Sequence, residues 1–268
     1  MIDKSVKQEL LKSIKDKEEK ILISSIIDKA VKFEKTNTLE FSNFLNLNEL
    51  SDVKKILDYL RVDYMIFAPN QDIEKKNIAF IPDYLEDSKE KVFTDNISCI
   101  KVIPNIKNKL LHKDYMGAIY SLGVKREFIG DIIAKNDVAY FFCMKNVEKY
   151  FLLNLNSVGK QEVKLEILDI FSDEIKKLSL NFEEKTYIIH SFRVDALLSE
   201  VYNLSRSEVK EKIQKGDLYI NDKNIVYPNT IIKCGDIISF RRCGKLKVGE
   251  KIRETKSLNI VIQIFKYN

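Results

Sequence analysis

Apolar positions recur at helical spacing in the first segment, residues 1–92. Leu10, Leu11 and Ile14, followed by Ile21, Ile26 and Ile27, predict amphipathic helices within Lys/Glu-rich sequence. Phe41, Phe44, Leu45 and Leu47 lead into a further helix, with Ser51-Asp52 expected as its cap ahead of Val53, Ile56, Leu57 and Leu60. The period then changes. Residues 66–68 and 78–81 predict short strands on either side of the polar stretch 69–77.

The second segment, 93–183, has the order β-α-β-β-α-β. A strand over 97–103 stops at Pro104-Asn105, and a helix over 114–122 ends at Gly123. Residues 128–134 and 138–144 form a hairpin across Lys135-Asn136-Asp137. A helix over 147–156 and a strand over 162–168 complete a ferredoxin-like or RRM-like sandwich. Tyr140 and Phe142 alternate on one strand, and packing beneath the helices is the expected role. His112, near a helix start, and His190 have no nucleophile at recognisable spacing, so structural roles are expected for both. The third segment, 184–268, begins at Tyr187-Ile188-Ile189 and contains short strands at 218–220 and 237–240 around turns at Asn221-Asp222 and Gly235-Asp236. The expected fold class is α+β in three small domains.

Composition narrows the class. A chain of 268 residues with 45% hydrophobic and 32% charged residues is globular rather than disordered. Its longest apolar runs fall short of a bilayer span, and the Lys/Glu-rich start lacks a signal-peptide core. A cytoplasmic protein with no membrane partner is expected. The cysteines (Cys99, Cys143, Cys234, Cys243) form no C-x-x-C pair, so they are expected to be buried small hydrophobes in a reducing compartment, and no metal is expected. No G-x-x-x-x-G-K-[ST] or G-x-G-x-x-G loop is present, so no nucleotide cofactor is expected. Residues 193–253 hold 13 Lys and Arg against 8 Asp and Glu, a net of +5, whereas the preceding 192 residues carry 30 against 31, a net of −1. The positive field therefore sits on the terminal module, where a polyanion would dock.

Ser205-Arg206-Ser207-Glu208 has the spacing of a capping box, in which hydroxyl and carboxylate satisfy each other's backbone amides. It opens a short helix whose Val209 and Ile213 face a core, and Lys215-Gly216 closes it. Arg206 and Lys210 lie one turn apart, two cations able to straddle a phosphate backbone. Arg193, Arg241, Arg242, Lys245 and Lys247 add charge around this unit.

The run RVDALLSEVYNLSRSEVKEKIQKGDLYINDKNIVYPNTIIKCGDIISF resembles the S4 RNA-binding domain family through Arg193-x-Asp195, Ser205-Arg206, Lys215-Gly216, Asn221 and Gly235-Asp236. The resemblance implies that Arg193, Ser205, Arg206, Lys210 and Lys215 line an RNA surface, while the glycines, Asn221 and Asp236 set turns. Asp222 stands where that family usually has Gly, so a longer or bulged hairpin is expected there. The middle sequences HKDYMGAIYSLGVKREFIGDI and VAYFFCMKNVEKYFLLNLNSVGKQEVKLEIL resemble the YlmH family of bacterial S4-domain proteins. The match is weaker in the N-terminal segment, where KKNIAFIPDY replaces the family's glycine-rich basic stretch.

The YlmH likeness implies a non-enzymatic, monomeric RNA binder engaging ribosomal RNA, with tRNA as a further partner, on the large ribosomal subunit in rescue of stalled translation. Arg241, Arg242 and Lys245 join the RNA-facing set, and Lys125 and Arg126 are secondary candidates, with a solvated loop as the plainer expectation for them. The alternatives are an RNA-modifying enzyme with a site in the first 180 residues, or a scaffold linked to cell division.

Overall fold

The structure, a computed structural model, describes residues 4–12, 14, 16–70, 72–105, 110–178, 182–221 and 223–267. It divides into two compact units, Met1–Ser179 and Leu180–Asn268. The segments expected as separate domains, 1–92 and 93–183, therefore share the first unit, and its end falls a few residues ahead of the expected divide at 184.

In the first unit, α1 (Lys4–Lys12) precedes α2 (Lys17–Thr36), β1 (Glu40–Phe41), α3 (Leu47–Leu60), β2 (Met65–Phe67) and β3 (Asn77–Phe80). Asp16 caps α2 by accepting the Glu19 amide at 2.8 Å. The buried stripe of α2 is Ile23, Ile26, Ile27 and Ala30. Ile21 stays exposed, because five residues before Ile26 on the same helix it falls about 140° around from it. The α3 helix starts a turn earlier than expected. Asn46 accepts the Asn48 and Glu49 amides at 3.0 Å, and Glu49 returns a bond to the Asn46 amide at 2.8 Å, leaving Ser51 and Asp52 inside the helix. Strands β1, β3 and β2 pair antiparallel in that order.

After α4 (Lys89–Asn96) come β4 (Ile97–Pro104), α5 (His112–Ser121), β5 (Ile129–Lys135), β6 (Val138–Met144), α6 (Lys145–Asn154), β7 (Ser157–Val158), β8 (Gln161–Leu168) and α7 (Asp173–Lys176). The sheet order is β5-β6-β4-β8-β7, antiparallel throughout. Side chains alternate across a strand. Phe141 and Cys143 of β6 join Tyr115, Ile119 and Phe151 in the core beneath α5 and α6. Tyr140 and Phe142 consequently lie on the other face, which corrects the expectation that they pack beneath the helices.

That second face is closed by N-terminal sequence and α7. A Cβ at Gly130 would come within 2.8 Å of Phe142 Cβ and 2.9 Å of the Phe44 ring, so glycine permits the close approach. Asn77 lies 3.7 Å from the Met144 sulfur, and Asp131 accepts the Glu74 and Lys75 amides at 2.6 and 3.2 Å. Glu174 of α7 accepts from Tyr140 Oη and Lys101 Nζ, each at 2.7 Å. Phe142 is fully buried and Tyr140 nearly so.

The second unit comprises β9 (Phe182–Ile189), α8 (Val194–Tyr202), α9 (Arg206–Gln214), β10 (Leu218–Ile220), β11 (Lys223–Ile225), β12 (Ile237–Phe240), β13 (Gly244–Glu254) and β14 (Ile260–Tyr267). Its antiparallel sheet has the order β11-β10-β12-β13-β14-β9. Helices α8 and α9 pack on one face through Leu197, Val201, Val209 and Ile213. Ile220 pairs with Lys223, so only two residues join β10 to β11, and the longer or bulged hairpin expected there does not form. Asn221 adopts φ 49°, the left-handed geometry a tight hairpin needs, while Asp222 itself lies outside the described residues.

The strand expected at Tyr187 begins at Phe182 and pairs along its length with β14. Cys99 and Cys143 are buried as expected, and burial raises both thiol pKa values, but Cys234 is exposed and Cys243 only partly covered. No helix among the described residues is long and apolar enough to cross a membrane.

Candidate nucleic-acid interface

Helix α9 is built as its sequence predicts. Ser205 Oγ accepts the Glu208 amide at 3.2 Å, and Glu208 accepts the Ser205 amide at 3.3 Å. Val209 and Ile213 are fully buried beneath it. At 100° per residue, Arg206 and Lys210 then fall on one flank of this buried stripe, one turn apart. Both are exposed, and neither has an acidic partner among the described residues. Lys212 lies on the opposite flank.

Lys215 points away from the Arg206–Lys210 flank and bonds Glu211 at 2.5 Å, which holds the Glu211 carboxyl below its usual range. The same helix thus offers one pair of uncommitted cations and one neutralised pair.

Arg193 precedes α8. Its Nε and Nη2 donate to the two carboxylate oxygens of Asp195 at 3.0 and 2.8 Å. Asp195 is buried, while the Arg193 side chain remains 42% exposed. The fork therefore fixes the guanidinium and leaves one edge toward solvent. The first two amides of α8 are already taken, Val194 by Thr230 O at 2.9 Å and Asp195 by Pro228 O at 3.2 Å, so neither is available to an anion.

Arg241 and Arg242 occupy the β12–β13 turn, both exposed. Arg241 lies 3.8 Å from Asp217, and Arg242 has φ 64°. Lys245 does not lie on the helix side of the sheet. Its neighbour Leu246 faces the helices, so Lys245 faces the opposite side, with Nζ 4.8 Å from the centre of the Tyr267 ring.

Lys125 and Arg126 are exposed at a 3-10 turn ahead of β5. The Arg126 guanidinium lies 5.2 Å over Tyr120, and the adjacent Glu127 carbonyl accepts the Phe44 amide at 2.9 Å. His112 Nε2 sits 2.9 Å from Ile132 O, and His190 Nδ1 2.7 Å from Asn259 Oδ1. Among the described residues no group of three His, Cys, Asp or Glu side chains could hold a metal ion.

Sequence reasoning missed Lys266, whose Nζ lies 5.2 Å over the Tyr202 ring, and the Tyr202 hydroxyl, which is buried without a hydrogen-bond partner among the described residues. It also missed the β13–β14 hairpin, although Leu246/Val248 and Ile260/Ile262/Ile264 alternate plainly enough to reveal it.

Residues 89–172 match a family model described as "Putative RNA-binding domain in YlmH". A curated relative, the "Ribosome-associated protein quality control protein P2" of Bacillus subtilis (strain 168), is 24% identical over 188 residues, covering 68% of this chain and 71% of the relative. The solved structure titled "Cell division protein ylmH from Streptococcus pneumoniae" aligns with a TM-score of 0.44 and 18% identity, over 58% of this chain and 94% of that one. Over residues 89–172, which carry the middle sheet, the chain is thus similar to the RNA-binding domain of the YlmH family.

Proposed function

We propose that this chain is a cytoplasmic, non-enzymatic RNA-binding protein that engages structured ribosomal RNA on the large ribosomal subunit, with tRNA as an additional contact, in quality control of stalled translation. In this reading the second unit is an S4-type RNA-binding domain. One observation carries the proposal: Arg206 and Lys210 stand exposed one turn apart, with no acidic partner among the described residues, beside a capped helix start, in the module that holds the chain's net positive charge. Such an array recognises the shape and phosphates of folded RNA rather than a base sequence. The RNA-binding description of the matching family model and the ribosome-associated name of the curated relative support it.

Sedimentation of the protein with ribosomal subunits tests the proposal. Co-migration with the large subunit is expected, and Arg206→Ala with Lys210→Ala should abolish it at physiological salt. Removing two phosphate contacts should also flatten the dependence of log affinity on log salt by about 2. Co-migration unchanged in the double variant would overturn the assignment of this face. Altered nucleosides in RNA from cells lacking the protein would overturn its non-enzymatic character.

A further inference from the structure

The two large sheets treat their second faces differently. In the first unit that face is sealed by N-terminal sequence and α7. In the second unit, among the described residues, both helices lie on one side, over Leu218, Ile238, Leu246 and Ile262. Alternation along the strands sends the neighbours of these residues to the other side. The pairing then lines them up. Tyr219 is opposite Ser239, Ser239 opposite Lys245, Lys247 opposite Phe265, and Tyr267 opposite Phe182.

Three of these side chains form an aromatic group. The Phe182 ring centre lies 4.8 Å from that of Tyr267 and 5.9 Å from that of Phe265, edge to face in both cases. The three rings are only partly buried. Lys245 lies against Tyr267, and Lys247 is exposed beside Phe265. Glu184, the acid opposite Phe265, is held by Gln263 at 2.5 Å. Arg241 and Arg242 stand at the turn leading into β13.

We propose that this second face of the C-terminal sheet is a platform for unpaired RNA bases, with Phe265 and Tyr267 as stacking surfaces and Lys245 and Lys247 as phosphate contacts. Rings two residues apart on one strand are spaced by about 7 Å and point the same way. Partly exposed aromatics with lysines interleaved among them fit the requirement for binding single strands: every base has a face to stack, and the cations follow the backbone. The basic surround favours a polyanion over an apolar protein segment. The platform lies across the sheet from Arg206 and Lys210, so one small unit would present a paired-RNA face and an unpaired-RNA face.

Fluorescence anisotropy on the full chain, with a short unstructured oligoribonucleotide and a fully paired RNA hairpin, separates the two faces. Phe265→Leu with Tyr267→Leu keeps apolar bulk and should weaken oligonucleotide binding about 10-fold or more, within the stacking range for lost rings. Lys245→Glu with Lys247→Glu, which leaves the core untouched, should do the same. The hairpin should change less than about 2-fold in both, while Arg206→Ala with Lys210→Ala shows the reverse selectivity. The ring-preserving exchange Phe265→Tyr with Tyr267→Phe should retain affinity. The proposal is overturned if the wild-type chain does not bind the oligonucleotide, if its binding survives both pairs of substitutions, or if both RNAs are lost together in the lysine variant.

Discussion

Asp131 lies where the N-terminal segment meets the middle sheet, and its carboxylate holds two amides of that segment. Burial, aided by the charge of Glu74, raises its pKa from 3.8 to about 6. The sign follows from linkage. Between these values the folded state binds more protons than the unfolded chain, so stability falls as pH rises from about 4 to about 6 and stays reduced above that. Asp131→Asn keeps an acceptor and removes the charge. The variant should gain roughly 1–2 kcal/mol at pH 8, taking about 1.4 kcal/mol per pH unit and trimming it because part of the side chain still meets water. At pH 4 the gain should be small. Urea denaturation at the two pH values measures this, and equal effects at both would refute it. None of it was visible in the sequence, because Glu74, Lys75 and Asp131 are brought together only by folding.

At the scale of elements, α9 was legible almost completely. Its cap, buried stripe and closing glycine are local features, set by residues within one or two turns of each other. The two roles of Ser205 can be separated. Ser205→Ala removes the cap and should cost about 1 kcal/mol by chemical denaturation. Ser205→Asp keeps a capping oxygen, so stability should hold. It adds a negative charge beside Arg206, however, so affinity for structured RNA should fall several-fold. Helix α3 shows the limit of such reasoning: both Asn46 and Ser51-Asp52 have capping chemistry, and the choice fell to Asn46 because Glu49 completes a reciprocal pair with it. The Asn221 hairpin was misjudged for a similar reason. Asparagine at φ 49° supplies a left-handed residue in the turn, although the glycine usual in the S4 family is absent.

At the scale of the whole molecule, residues on both sides of position 92 pack together in the first unit. Phe44 and the loop before β3 belong to the layer that covers Tyr140, Phe142 and Met144. A chain beginning at residue 93 should therefore expose this apolar face. It should bind a hydrophobic dye and aggregate, and the full chain should do neither. A soluble, cooperatively folding truncation would show the covering layer to be dispensable. The cover also closes the sheet face on which an RRM stacks bases, so under the proposed function any RNA contact of the middle domain would fall on its helices, edges or loops.

The sequence by itself determined the α+β class, the β-α-β-β-α-β order of the middle segment, the capped helix and the concentration of positive charge near the end. Each of these depends on periodicity, capping chemistry or composition, which act over a few residues or over the chain as a sum. The tertiary structure alone decided which face of each sheet is covered. Tyr140 and Phe142 became core on the side away from the helices, and the pleat turned Lys245 away from the helix face that carries Arg206 and Lys210. Alternation tells which residues share a face, but the identity of the layer that buries it comes from distant sequence.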